Sequence, residues 1–324
     1  MIKKILFSHV LFLLMLSLNL NAAEFAFKYP RSTVEMELQK VSEHVYYVQG
    51  ATGVATDNQG FISNATVIIG EKGITIIDGL GSPSLAEQLL SLVRNISDQP
   101  VIRVITTHYH ADHIYGLQVF EDLGAKIYAP FGVDEYLNSQ GAADRIEERR
   151  FSLDPWVNEN TRLVYPDVLI EESFVINDGD IKLTINYLGK AHSDADLTIL
   201  VEPDQVFISG DVIFEGRIPF VGDSDSKAWL ETLNEMAGKK GIKALVPGHG
   251  ALATDPLQAI KLTRDYLAYL RLHLGEGVEE MMSFDELYDS IDWAPFENLP
   301  AFELGNRINA YQVFLALEKE LLDN

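Results

Sequence analysis

The period of apolar and polar positions changes along the chain, and each change predicts an element. "HVYYVQG" (44–50) alternates as a half-buried strand does. "NATVIIGEKGITIIDGL" (64–80) is two β-branched runs joined by "GEKG", the pattern of a hairpin. "SPSLAEQLLSLVRNI" (82–96) sets Leu85, Leu89, Leu92, Val93 and Ile96 on one helical face, with Pro83 near its start. A buried strand, "VIRVITT" (101–107), comes next. It is followed by a helix near 114–123, the strand "AKIYA" (125–129) and a helix near 133–150.

The middle of the chain is richer in strands. "VLIEESFVINDGDIKLTINYLG" (168–189) reads as consecutive strands turning at "NDGD", and "DLTILVEPDQVFISGD" (196–211) as a hairpin turning at "EPDQ". A helix over 225–237 and the strand "ALVPG" (244–248) follow. From Pro256 the pattern is helical. It includes "SFDELYDSI" (283–291), opened by a capping box of Ser283 and Glu286, and "NRINAYQVFLALEKELL" (306–322). Hairpins, helix and strand thus occur twice in the same order. This predicts an α+β fold, a four-layer αββα sandwich of two mixed sheets with a helical C-terminal extension. The expected division is a catalytic domain over 24–260 and an extension over 261–324 packed on it.

The first residues read differently. "MIKKILFSHVLFLLMLSLNLNAAEF" has Lys3 and Lys4, an apolar core, then Ala22 and Ala23, the layout of a signal peptide over residues 1–23. The apolar run over 10–20 is too short to span a bilayer comfortably. The expectation is a periplasmic or secreted protein with no stable membrane anchor once the leader is cleaved. The chain has no cysteine, so a metal site must use His, Asp or Glu. Its 48 acidic residues against 25 basic ones give a net charge of −23, which repels phosphate backbones. Basic residues gather no further than pairs such as Arg149-Arg150 and Lys239-Lys240. Nucleic acid is therefore excluded as a partner, and a small-molecule substrate is expected.

The candidate chemistry begins at Thr107, where "THYHADH" packs three of the chain's eight histidines into seven residues. On an extended backbone His108 and His110 point the same way. Asp112 and His113 come as the chain turns into a helix and can face a second point. Two ligand pairs aimed at neighbouring points predict two metals of the zinc type. His192 in "GKAHSDADL", Asp211 in "VFISGDVIF" and His249 in "LVPGHG" each lie at or just past an apolar strand. They are expected to converge on the same sheet edge. His9 belongs to the leader, His44 opens a strand and His273 lies in a helix, so these three stand apart.

"THYHADH", "GKAHSDADL", "SGDVIF" and "VPGHG", in that order, resemble the successive motifs of the metallo-β-lactamase superfamily, from about residue 40 to 260. The resemblance implies the same αββα sandwich with a site at one sheet edge. It implies that His108, His110 and His192 hold one metal, Asp112, His113 and His249 a second, and that Asp211 bridges both. "ITIIDG" resembles the family's first motif, which implies that Asp78 orients the metal-binding loop. Two Zn2+ per chain, with Fe or Mn as alternatives, would acidify a bridging water to hydroxide. Asp112 would orient that hydroxide and later handle a proton. The implied reaction is attack on an ester, thioester or amide carbonyl, β-lactams included.

The carboxylate at Asp211 resembles that of glyoxalase II-type thioester hydrolases, whereas the true β-lactamases carry Cys or Ser there. The whole layout also resembles exported metallohydrolases of the SoxH-like and quinoprotein-relay type. A mononuclear iron dioxygenase, a class B-like β-lactamase and a metal-binding protein without turnover stay open as alternatives. Arg217, in "FEGRIPFVGDSDS" (214–226), reads as a partner for a substrate carboxylate or as a solvated loop residue. Phe151 and Trp156 read as an apolar wall of the site or as anchors of a long loop.

Overall fold

The computed structural model describes residues 25–222 and 224–323, so the signal-peptide stretch lies outside the described residues. The described strands form two sheets. The first runs in chain order through β1 (Gln39–Lys40), β2 (Val45–Val48), β3 (Ala65–Gly70), β4 (Gly73–Ile77), β5 (Val101–Ile105), β6 (Lys126–Pro130) and β7 (Val168–Ile170). It is antiparallel as far as β4 and parallel from there on. The second runs through β8 (Phe174–Asp178), β9 (Ile181–Gly189), β10 (Asp196–Glu202) and β11 (Val206–Phe214), which pair antiparallel. It closes with β12 (Ala244–His249), parallel to β11.

Strand alternation sends successive side chains to different layers. From the first hairpin, Val67, Ile74 and Ile76 join the apolar layer under α1 (Pro83–Arg94), where they meet Leu85, Leu89 and Val93. Ile68 and Ile77 point the other way, into a middle layer with Leu183, Ile185, Leu197 and Ile199 of the second sheet. Each such fully buried aliphatic side chain contributes roughly 1.5–3 kcal/mol. A third layer lies between the second sheet and the helices α6 (Ser226–Met236), α7 (Pro256–Glu279), α8 (Phe284–Ser290) and α9 (Phe302–Leu322). Three apolar layers separate four structural ones, which is the αββα sandwich, and α7 to α9 form the C-terminal helical extension.

Local signals set the helix ends. Ser82 caps α1 by accepting from Leu85 N at 3.2 Å, with Pro83 as its first residue. Ser283 caps α8 and bonds Glu286, as the capping box predicts. Two predicted helices are broken instead of continuous. The helix near 114–123 is α2 (Ala111–Ile114) and α3 (Leu117–Glu121), separated by Gly116, where any Cβ would overlap the Gly79 carbonyl. The helix near 133–150 is α4 (Val133–Leu137) and α5 (Gln140–Ser152), because Ser139 accepts from Ala142 N at 3.1 Å and starts a new helix.

Candidate metal centre

The loop after β5 is held by a single carboxylate. Asp78, just past β4, has a left-handed backbone (φ 66°), a conformation that costs of order 1–3 kcal/mol in a non-glycine residue. The conformation lets its two oxygens act separately. Oδ1 accepts from Thr107 N at 2.7 Å, while Oδ2 lies 2.9 Å from His113 Nδ1. Two further imidazoles are tied at the same ring nitrogen, His108 Nδ1 to Thr107 Oγ1 at 3.1 Å and His249 Nδ1 to the Ile62 carbonyl at 2.7 Å. With Nδ1 engaged, the Nε2 atoms are left facing inward, which fixes ring orientation as metal-binding histidines require.

All seven residues that the sequence singles out as ligands converge. His108, His110, His192 and Asp211 offer ligand atoms within 4.8 Å of one another, and so do Asp112, His113 and His249. Asp211 lies between the two groups. Its Oδ2 is 3.1 Å from His249 Nε2 and 3.4 Å from His192 Nε2, and its Oδ1 is 3.2 Å from His113 Nε2. His192 Nε2 is also 3.0 Å from His110 Nδ1. Asp211 is not at a strand end, as expected from sequence, but inside β11, where the ladder to β12 shifts register on either side of Gly210. Such irregularities re-aim side chains beside functional sites. Gly248 on β12 makes room for it, since a Cβ there would overlap Asp211 Oδ1.

Burial governs the electrostatics. His108, His113 and His192 are fully buried, and Asp211 nearly so. Burial, joined by the neighbouring His113 and His110, holds His108 well below the ordinary imidazole value. Burial likewise takes His192 down to about 3. At His113 and His249 burial is outweighed by the Asp211 charge, with Asp78 and Asp112 adding to it at His113 and Asp112 at His249, so both are raised. At Asp211 and Asp112 burial opposes ionisation, yet the facing imidazoles of His249 and His113 hold both carboxyls below their usual range. His108 Nε2 is buried with no hydrogen-bond partner among the described residues, 3.9 Å from Asp211 Oδ2. Such an atom costs about 1–3 kcal/mol if left so. Inward-facing imidazole nitrogens and carboxylate oxygens are the donor set that borderline divalent cations take, and the residues present fit such ions.

A family model described as "Metallo-beta-lactamase superfamily" matches residues 58–249, a span that holds every one of these ligand candidates. The chain belongs to the metallo-beta-lactamase superfamily. It is 21% identical over 211 residues to metallo-beta-lactamase IND-1 of Chryseobacterium indologenes, covering 64% of this chain and 77% of that one. It is 29% identical over 202 residues to the acyl-coenzyme A thioesterase MBLAC2 of Gallus gallus, covering 58% and 72%. Among solved structures, the sec-alkylsulfatase Pisa1 from Pseudomonas sp. superposes with a TM-score of 0.70 at 19% identity, a likeness of fold. It covers 87% of this chain, which spans only half the length of that one. The protein is accordingly a hydrolase of the metallo-beta-lactamase superfamily, whose members are typically metal-dependent.

A cavity of about 640 Å³ opens over the cluster. His110, Asp112, Asp211 and His249 line its floor, and Arg217, Phe220 and Gly222 bring the 214–226 loop to its mouth. Phe214 lies against the centre, stacked on His249 at 5.1 Å and tilted toward His192 at 5.8 Å. Phe151 and Trp156 do not line the cavity, which overturns the apolar-wall reading, and Phe151 is 90% exposed. The C-terminal arginines are engaged elsewhere, Arg264 with Asp265, Arg271 with Glu320 and Arg307 with Asp285. His273 packs on Tyr269, and His44 pairs with Asp204, both outside the two groups. Sequence reasoning missed Arg145 and Arg149 of α5 and Leu304 and Ile308 of α9, which also line the cavity. The basic pair at Arg149-Arg150 was their one visible signal.

Proposed function

We propose that this superfamily member is an exported dinuclear zinc hydrolase that attacks an ester, thioester or amide carbonyl. The observation that carries the reading is Asp211, whose carboxylate reaches His192 and His249 with one oxygen and His113 with the other. His108, His110 and His192 would hold one cation, Asp112, His113 and His249 the other, with Asp211 shared. Bound divalent cations would supply a Lewis acid and a water acidified toward neutral pH. Export rests on the leader pattern of residues 1–23.

The remaining work falls to side chains. Asp112 lies 3.3 Å from His249 Nε2 and faces the cavity, so it is placed to orient the attacking water and to relay its proton toward the leaving group. Arg217 makes no ion pair among the described residues, and its hydrogen bond is Nε to the Ile218 carbonyl at 3.3 Å. Its half-buried guanidinium feels the Asp211 and Asp112 carboxylates; with those charges taken up by bound cations, an anionic group on the substrate would provide the counter-charge. Phe214 covers the imidazoles and keeps bulk water from them.

The test is a panel of esters, thioesters, lactones and β-lactams, with metal content measured on the same sample. About two zincs per chain, and turnover lost to a chelator and restored by zinc, is the expected result. One iron per chain with oxygen uptake, or a metal-loaded protein that turns over nothing in the panel, overturns the proposal.

A further inference from the structure

The cavity does not close on the side of α9. Leu304 and Ile308 line it and yet remain 56% and 53% exposed. Beyond them Tyr311 and Leu315 are also exposed. The spacing i, i+4, i+7, i+11 puts all four on one face of the helix. From Leu304 to Leu315 that stripe rises roughly 16 Å. Phe302, Ala310, Val313 and Phe314, on the other side of α9, are buried in the core. The helix therefore carries a second apolar stripe, which the fold covers only in part, where Phe284 of α8 meets the Tyr311 ring edge-on at 4.9 Å.

The rest of the same cavity has a different chemistry. α5 contributes Arg145 and Arg149, and the 214–226 loop contributes Arg217. Glu148 is the carboxylate paired with the two α5 arginines, at 3.7 and 3.5 Å. In a chain of net charge −23, a cavity that gathers three guanidinium groups beside an apolar track joins an anion-attracting wall to an apolar one.

We propose that the substrate is an anionic amphiphile. Its charged group faces the cavity arginines, and its alkyl or acyl chain leaves the cavity along Leu304, Ile308, Tyr311 and Leu315. This deepens the hydrolase reading and rests on it for placing the cleaved bond beside Asp112 and Asp211. The stripe is one side chain wide, flanked by Glu303, Arg307 and Glu318. That width suits a single hydrocarbon chain. It falls well short of the ~800 Å² per partner that a stable contact with a second copy buries.

The experiment is calorimetric titration of the metal-loaded protein with n-alkyl sulfonates from hexyl to hexadecyl, each below its micelle-forming concentration. Sulfonates carry the anionic head and cannot be cleaved. Affinity should rise roughly two- to fourfold per methylene and level off once the chain outruns Leu315. Leu315→Glu, at an exposed position that leaves the core intact, should bring that plateau to a shorter chain. A series that is flat beyond hexyl, or a plateau unmoved by Leu315→Glu, overturns the proposal. So does a flat series in a protein whose mass doubles with concentration and stays single in Leu315→Glu, which assigns the stripe to a second copy. A flat series beside intact hydrolysis of a short ester sinks the chain track alone. A steep series in a protein that cleaves nothing sinks the hydrolase reading and leaves the track standing.

Discussion

Asp78 Oδ2 lies 2.9 Å from His113 Nδ1, so a residue from the end of one strand sets the orientation of an imidazole that follows the next. The same carboxylate holds Thr107 N with its other oxygen. Asp78→Ala should leave the fold in place but free the His113 ring and loosen the 107–113 loop. Outer partners of this kind are worth about 10–100-fold in metal affinity. Competition with a chelator of known affinity measures it, and an unchanged zinc affinity would show that Asp78 is a turn residue only.

The converging histidines predict an all-or-none contrast. His110→Ala should lose metal and drop activity by at least about a hundredfold, more than any outer partner does. His273→Ala should keep both, because its ring packs on Tyr269 away from the centre. Zinc content after gel filtration and turnover of the best panel substrate read both variants. Loss of metal from the His273 variant contradicts the ligand assignment.

Arg217 predicts a split between kinetic constants. Arg217→Gln should raise KM by roughly 10–100-fold for an anionic substrate, the worth of a charge-assisted contact, with kcat changed far less. For a neutral short ester the effect should be small. Equal losses on charged and neutral substrates would give Arg217 a structural role instead.

Two glycines predict opposite changes in stability. Gly248→Ala drives a Cβ into Asp211 Oδ1 and should cost about 1–3 kcal/mol along with zinc affinity. Gly275→Ala, within α7 and with nothing near the new Cβ, should add about 0.5–1 kcal/mol through helix propensity. Thermal melts of the two variants against the parent decide both signs.

His44 predicts a pH dependence remote from the centre. Its Nδ1 lies 2.7 Å from Asp204 Oδ1 and its Nε2 3.1 Å from Asp180 Oδ2, so it joins the first sheet to turns of the second. Burial opposes its protonation, but Asp204, Asp180 and Glu43 outweigh burial and raise its pKa. A raised imidazole stabilises the fold fully below the unfolded value near 6.5, and loses that effect as pH rises through the folded value. Between pH 6 and pH 9 the melting temperature should fall by about 2–4 °C, as for a pair worth about 1 kcal/mol. His44→Gln should flatten that segment of the profile.

The ligand set was legible because its members lie beside apolar strands, and strands are the elements that sequence period marks best. The helix breaks were not, because Gly116 acts through the distant Gly79 carbonyl and Ser139 through a cap that any loop serine resembles. Arg145 and Arg149 stand in a helix of mixed charge, beside Glu147 and Glu148, a pattern that marks a solvated face as readily as a site wall. Only the fold of α5 over the site turns them inward. Phe151 misled for the opposite reason: it reads as a loop aromatic, but it lies in the last turn of α5 with its ring exposed.

His108, His110, Asp112 and His113 follow strands of the first sheet, whereas His192, Asp211 and His249 belong to the second. Across the seam Asn64 Nδ2 donates to the Pro247 and Gly250 carbonyls, at 2.8 and 3.0 Å, and the Ile62 carbonyl accepts from His249. Neither sheet carries a complete set of donors. A chain with only one of the two sheets formed would therefore offer an ion a preorganised set of at most four of the seven donors. An occupied centre would in turn act as a clamp that keeps the two sheets from parting.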